Sequence, residues 1–523
     1  MQADILASRL EIVRVMAGHG RIRFWRDLPG FRFGWRYVSD QEDQPLPWKT
    51  RLTDKELSFD LPDEPCNLSI LVERAADKHP VWLTADAGGD DYGPEDAGSY
   101  SLAAELIRSK RERLVTQMGR YRRVGFRPQT ALEDLVGMAV RGGERAPAAT
   151  PERLEPRAAR AVLLTLVDTC DALELAYARS RPTNHKQAIG CDATMVSRAR
   201  TDRVWEDVVR LFSYVTVTFY TRSDKTGDFE PREGEYAFAS RDVLVKRAGR
   251  AGLEVEGRPL VWLHPWVTPH WLATEDIGGL RAYLQRRIPA MVGHYEGRIR
   301  RWEVTNEAHD WADVLHLSHE ELLDVTRFAC DLTRRSGPEV QLLINTTDPF
   351  GTYAASGARA DGSPVHGRQW TPYTYLRDLL RERVDFDIAG IQIYRPYRDL
   401  TDTVEMLERV EALGKPVFIT EIGVPSRDDE LDSPSSDDAP RLIHRWDPEQ
   451  QADWAGNMFT LLMSRPDVLG ISWYDLVDRR PFLPGGGLLD REWRPKPAYR
   501  RIERILADAG RIVPDPAETA PRL

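Results

Sequence analysis

Cysteine is scarce and scattered: Cys66, Cys170, Cys191 and Cys330 are the only 4 among 523 residues, and no Cys-x-x-Cys pair occurs. Neither a zinc knuckle nor a disulfide scaffold is built from such spacing, so all four are expected as small buried hydrophobes. Long apolar runs are missing too; none approaches the roughly 18 residues of a membrane span, so no membrane partner is expected. The first 25 residues, MQADILASRLEIVRVMAGHGRIRFW, are interrupted by Arg, Glu and Asp. They lack the apolar stretch of a secretory signal. As written the chain reads as cytoplasmic, whereas a chain trimmed of a leader would be secreted. Positive charge is in deficit, with 72 Lys and Arg against 82 Asp and Glu for a net charge of −10. Phosphate neutralisation needs clustered positive charge, so no nucleic acid is expected as a partner. No metal-ligand spacing or glycine-rich nucleotide loop appears, and neither a metal nor a cofactor is expected.

What is present is a chain that is 41% hydrophobic and 29% charged, able to build a large core over one big domain and an addition. Residues 1–140 are expected as a β-rich module, in which about residues 20–95 carry short runs rich in Trp, Phe, Pro and Gly (RIRFWRDLPGFRFGWRYVS, ELSFDL, CNLSILVERA, PVWLTAD), the texture of a β-sandwich. A helix is expected at SLAAELIRSKRERLVTQM. Residues 141–182 read as a linker over 141–158, poor in large apolar side chains, and then a long helix over 158–181 with unbroken 3.6-residue periodicity. Trp25, Trp35, Trp48 and Trp82 suit either a carbohydrate-binding module or a structural one.

From 183 to 512 the pattern changes to short β-branched runs separated by amphipathic helices. Eight runs are expected as strands: KQAIGCD, YVTVTF, PLVWL, IRRWEVTN, VQLLIN, FDIAGIQIY, PVFIT and VLGISWY. Eight such units imply an α/β fold, a (β/α)8 TIM barrel with long loops. An open doubly wound sheet is the alternative, but no Gly-x-Gly-x-x-Gly turn follows the first run. Residues 513–523 form a tail.

In a barrel the functional groups come from the C-terminal ends of the strands. The fourth run ends Thr305-Asn306-Glu307, the seventh Thr420-Glu421 and the third at His264; the sixth carries Gln392 and Tyr394, and the eighth Trp473 and Asp475. Two carboxylates facing one mouth are what cleavage of a glycosidic bond requires, one to protonate the leaving oxygen and one to attack or to activate water.

Beyond this pattern, WEVTNEAHDW, FITEIGV, the stretch from FEPREGEY to WLHPWVTPHW and the tail LLDREWRPKPAYRRI resemble glycoside hydrolase family 10, the endo-β-1,4-xylanase family, over roughly residues 186–505. The resemblance implies a retaining hydrolase acting on a polysaccharide or oligosaccharide, β-1,4-xylan or a related β-glycan. It implies Glu307 as acid/base, Glu421 as nucleophile and Asn306 as the ligand of the sugar 2-hydroxyl, with His264, Asn345, Gln392 and Trp473 at the family's other binding positions. Tyr394 falls where the family has a histidine, two residues after the glutamine; its hydroxyl would hold Glu421. The family's lysine after the second strand is absent too, replaced by the stretch Thr218-Phe219-Tyr220-Thr221. Lys225 or Arg222 is the candidate to replace it from the loop. These departures keep open a related hydrolase for a different β-linked polysaccharide, and a non-catalytic carbohydrate-binding protein is the remaining alternative.

Trp262, Trp266, Trp271, Trp311 and Trp473 are candidate platforms for sugar rings. The acidic segment PSRDDELDSPSSDDAPRLIHRWDPEQQ is either a cleft wall or a solvated excursion, and Arg441, His444 and Arg445 at its return are candidates to meet an acidic substituent.

Overall fold

The computed structural model describes residues 20–28, 33–72, 80–144, 156–194, 203–223, 227–309, 312–359, 362–365, 368–394, 397–431, 442–444, 446–479 and 481–512. The N-terminal part is a sandwich of two four-stranded sheets. Its strands are β1 (Arg21–Trp25), β2 (Phe33–Asp40), β3 (Pro45–Leu46), β4 (Arg51–Leu52), β5 (Glu56–Asp60), β6 (Cys66–Val72), β7 (Val81–Ala85) and β8 (Gly98–Ser101). One sheet runs β4-β5-β1-β8 and the other β3-β2-β6-β7. Strand β1 alternates, with Ile22 and Phe24 inward and Arg21, Arg23 and Trp25 outward, as a sheet wetted on one side should. Strand β6 is buried throughout, because Leu68, Ile70 and Val72 fill the sandwich core while Leu71, with Tyr37 and Trp82, joins the core of the barrel.

Three helices complete this module, Leu102–Arg123, Thr130–Glu144 and Pro156–Ser180. The last is the long helix the periodicity predicts. Leu163, Leu166, Val167, Cys170 and Leu173, at helical spacing, are buried in the module's own core, so this helix is part of the module rather than a passage between domains. The module's dock on the barrel is ionic and buried. Lys110 pairs with Asp399 and Asp402, and Arg113 bonds Asp86, Asp402 and Glu405. The Trp82 amide donates to Tyr397 O at 2.7 Å, and the Arg398 guanidinium lies 4.9 Å from the Trp82 ring centre. Trp82 and Trp35 are thus taken up in packing, and the Trp48 indole donates to Asp60 O, leaving Trp25 as the most exposed of the module's four candidate aromatics.

The second part is a closed eight-stranded parallel barrel. Its strands are β9 (Ala188–Asp192), β10 (Tyr214–Thr218), β11 (Glu254–Arg258), β12 (Arg301–Asn306), β13 (Gln341–Thr346), β14 (Ile388–Tyr394), β15 (Val417–Gly423) and, after a small hairpin of β16 (Asp429–Leu431) and β17 (Leu442–His444), β18 (Val468–Trp473), which pairs with β9. Seven of the eight expected runs are strands. The third is displaced: β11 is EVEGR, and PLVWL continues past it with an isolated bridge between Val261 and Thr305. Hydrophobicity misleads here because the inward side chains of β11 are Glu256 and Arg258. Glu256 bonds Arg301 in the barrel interior, and the Arg301 guanidinium lies 4.2 Å from the Phe418 ring centre above a floor of Tyr214, Leu343, Ile388 and Phe418.

Candidate active site

Glu307 follows β12 directly and takes φ 50, a left-handed backbone uncommon for any residue but glycine. Its amide donates to Asn345 O at 3.0 Å, which holds the turn in place. Register shifts between Glu303 and Thr305, between Ile391 and Gln392, and between Ile419 and Ile422 break strict alternation just before the polar strand ends. Such bulges re-aim side chains, and the polar ends of β12 to β15 converge on one network.

Gln392 is its hub. Its Nε2 donates to Glu307 Oε1 at 2.8 Å, to Glu421 Oε1 at 3.2 Å and to Asn306 Oδ1 at 3.2 Å. Asn345 Nδ2 lies 2.8 Å from Asn306 Oδ1, 3.1 Å from Glu303 Oε2 and 3.4 Å from Glu421 Oε1, while Thr420 donates its hydroxyl to Asn345 Oδ1 and fixes that amide. Tyr394 donates its hydroxyl to Glu421 Oε2, and Arg258 donates Nη2 to Glu421 Oε1. Glu307, Glu421, Asn306, Asn345, Gln392 and Tyr394 are therefore brought together. Burial and the adjoining Glu421 push the Tyr394 phenol well up, which keeps it a proton donor to that carboxylate.

Arg258, on β11, was not singled out by sequence reasoning, and neither was Glu303 beside it. Gly257 makes room for this corner; a Cβ there would meet the Trp302 ring at 2.3 Å. Burial pushes the Glu303 carboxyl well above the usual carboxylate range, against the pull of Arg258. An aromatic wall closes the Glu421 side. The Arg258 guanidinium lies 5.4 Å from the Tyr474 ring centre, the Tyr220 and Tyr474 hydroxyls are 3.5 Å apart, and Phe482 packs at 5.1 Å on Tyr394. Charged residues at every second position of EVEGR, with Glu256 and Arg258 read as facing inward, are the signal that would have found Arg258.

His264 lies on the Glu307 side, lining a small cavity with Trp262, Asn306 and Glu307. Its Nδ1 accepts from the Trp266 amide at 3.1 Å, and burial lowers the imidazole to about 4, so it is neutral near pH 7. One expectation needs correction. Trp473 is fully buried and its indole donates to Gly486 O at 3.0 Å, so it supports the 485–487 loop from below and presents no face to a sugar. Trp271, on the short helix His270–Ala273, is half-buried and packs edge-on against Tyr283 of the helix Ile277–His294. Asp475 accepts from the amides of Phe482 and Leu483, anchoring the loop that carries Phe482. Arg222 donates to Pro265 O at 2.8 Å and so braces a loop. Lys225, Trp311, Arg441 and Arg445 lie outside the described residues, as does the side chain of His444. Among the described residues, no group of three or more His, Cys, Asp or Glu side chains could hold a metal ion, and no helix is long and apolar enough to cross a membrane.

Known proteins similar to this chain include several xylanases. An endo-1,4-beta-xylanase B of Neocallimastix patriciarum is 23% identical over 313 residues, covering 57% of this chain and 32% of that protein. An endo-1,4-beta-xylanase B of Thermotoga neapolitana is 21% identical over 301 residues, covering 54% of this chain and 78% of that one. The anti-sigma-I factor RsgI6 of Acetivibrio thermocellus is 23% identical over 371 residues, 68% of this chain and 42% of that one. The chain thus spans about a third of the first of these relatives and well under half of the last. Among solved structures, xylanase 10B from Thermotoga petrophila RKU-1 in complex with xylobiose aligns with a TM-score of 0.47 at 22% identity, over 62% of this chain and 95% of that one. The model of the family described as glycosyl hydrolase family 10 matches residues 208–505, which is more than half of the chain and takes in both Glu307 and Glu421, so the chain belongs to glycosyl hydrolase family 10.

Proposed function

We propose that this glycoside hydrolase cleaves β-1,4-xylan or a related β-glycan internally, with retention of configuration, through a double displacement by Glu307 and Glu421. The observation that carries the reading is the shared donor. Two contacts of 2.8 and 3.2 Å from the single Gln392 nitrogen keep Glu307 Oε1 and Glu421 Oε1 within about 6 Å of each other. Direct attack by a carboxylate goes with a separation of about 5–5.5 Å, whereas an intervening water needs roughly 6.5–9.5 Å.

In the first step Glu421 attacks the anomeric carbon while Glu307 gives its proton to the leaving oxygen. In the second, Glu307, now the carboxylate, takes a proton from water, which displaces Glu421. The roles differ because the surroundings differ. Glu421 is buried with Arg258, Gln392 and Tyr394 donating to it, whereas Glu307 is half-exposed and positioned by the Gln392 amide. Asn306, fixed by Asn345 and Gln392, has the place of a ligand to the sugar hydroxyl beside the anomeric carbon.

A different β-linked polysaccharide is the second reading, favoured by the Tyr220, Tyr394, Tyr474 and Phe482 wall. These rings narrow the Glu421 side with hydroxyl groups and aromatic surface where the family's lysine and histidine are absent. Reducing-end release from a panel of purified β-glycans, with product sizes and the anomer formed first followed by NMR, tests both. Retained configuration on xylan supports the first reading and release from another β-glycan the second, while binding without any release would leave a carbohydrate-binding protein.

A further inference from the structure

Arg258 stands between two buried carboxyls. It is 1% exposed; its Nη2 bonds Glu421 Oε1, and its Nε lies 3.7 Å from Glu303 Oε2, close enough for attraction but too long for a hydrogen bond. Arg258 Nε and Glu303 Oε1 are both buried without a hydrogen-bond partner. One carboxyl is thus engaged by the guanidinium and the other is held in reserve. The reaction proposed above removes the engaged one, because esterification of Glu421 deletes its charge. A buried guanidinium left without a counter-ion is strongly unfavourable.

We propose that Arg258 and Glu303 form a counter-ion relay for the nucleophile, in which Glu303 ionises as Glu421 is esterified and takes Glu421's place as the partner of Arg258. The inference rests on the two-glutamate reading. As the bond from Glu421 to the anomeric carbon forms and the bond to the leaving oxygen breaks, the Glu303 proton passes to solvent; when water hydrolyses the ester, a proton returns to Glu303. The charges facing Glu303 fit this order. Arg258 and Glu256 approach it from β11, Glu421 from β15, and the Asn345 amide from β13. Burial comes first and the Glu421 charge adds to it in pushing the Glu303 carboxyl up, with Arg258 opposing both. Loss of the Glu421 charge leaves Arg258 as the dominant neighbour and favours the ionised form. Arg258 and Glu303 are positioning residues, acting on the substrate only through Glu421.

Proton stoichiometry tests the relay. A dinitrophenyl β-xylobioside with fluorine in place of the hydroxyl beside the anomeric carbon esterifies the nucleophile and halts there, and its leaving group departs without needing a proton. Glu307→Ala protein, which lacks the other ionisable partner, is labelled in weak buffer near pH 7 while released protons are counted. The labelled residue is identified by mass spectrometry. The relay requires about one proton released per labelled chain, and none when Glu303→Gln is added. Labelling of Glu421 in the Glu307→Ala protein without proton release would overturn the relay and leave the two-glutamate reading standing. Label on a residue other than Glu421 in the unaltered chain would overturn that reading and the relay with it. The single-variant count needs no change at Glu303, so a poorly folded Glu303→Gln protein does not weaken the test.

Discussion

Glu307 and Glu421 share one hydrogen-bond donor, the Gln392 side-chain amide, at 2.8 and 3.2 Å. They sit at the ends of strands separated by two others in the barrel, so only closure of the sheet brings them to a common nitrogen. This bridge sets their spacing and makes each carboxyl sensitive to the position of the other.

Removal of either carboxylate has a distinct signature. Glu421→Ala abolishes turnover of an aryl β-glycoside and regains rate when azide takes the vacated place, giving a glycosyl azide of inverted configuration. Glu307→Ala retains activity toward good leaving groups and loses it toward poor ones, since acid assistance matters least when the leaving group is already stable. Steady-state kinetics over a series of phenyl leaving groups checks both.

Loss of the bridge itself is milder. Gln392→Ala leaves the facing carboxyl oxygens without a common donor, an effect of about 1–3 kcal/mol, or roughly five- to 150-fold in kcat/KM. Comparison with Gln392→Glu separates loss of the bridge from added charge, because a third carboxylate repels the other two and lowers activity further.

Trp266 is 65% exposed beside His264 and makes a free aromatic face near the Glu307 side of the mouth. Trp266→Ala is expected to raise KM for long oligosaccharides several-fold, consistent with about 1 kcal/mol from one aromatic contact. With a short aryl glycoside kcat stays unchanged; equal kinetics on long substrates would exclude the platform.

The junction of module and barrel is titratable. Burial pushes Glu174 up to about 7, where it accepts from Gln117 and Tyr121 of the module and from Thr401 of the barrel. Its unfolded value is near 4.5, so the folded chain holds a proton that the unfolded chain loses. Its contribution to stability is complete below that value and lost as pH rises to about 7, roughly 3 kcal/mol in all. Melting temperature should fall between about pH 5 and pH 7 from this group, and Glu174→Gln should flatten the slope.

Asp402 ties the same junction by charge, meeting Lys110, Arg113 and Arg398 at 3.3, 3.0 and 3.5 Å. Asp402→Ala leaves three buried cations with fewer partners and costs about 3–5 kcal/mol. Denaturant unfolding checks this, and a loss below 1 kcal/mol would mean that solvent already screens the network.

The barrel and the two glutamates were legible in the chain because each depends on a local signal. Apolar β-branched runs mark strands, and a polar residue ending such a run marks a barrel mouth. Arg258 was hidden by the same rule. Its strand turns charges inward, so a search for hydrophobic runs slides one segment along and stops at His264, which lines the Glu307 side but does not reach Glu421. Trp473 shows the converse, since nothing in VLGISWY reveals that the 485–487 loop covers its indole.

By itself, then, the sequence determined the repeating strand and helix pattern and a long helix, expected over 158–181 and found over 156–180, from periodicity along the chain, and the glutamates at the strand ends from where apolar runs stop. Only the tertiary structure decided that this helix belongs to the module's core, that Arg258 pairs with Glu421, and that Gln392 spans both carboxyls. Each of these joins residues tens to more than a hundred positions apart, and charge pairing inside a closed barrel leaves no trace in local hydrophobicity.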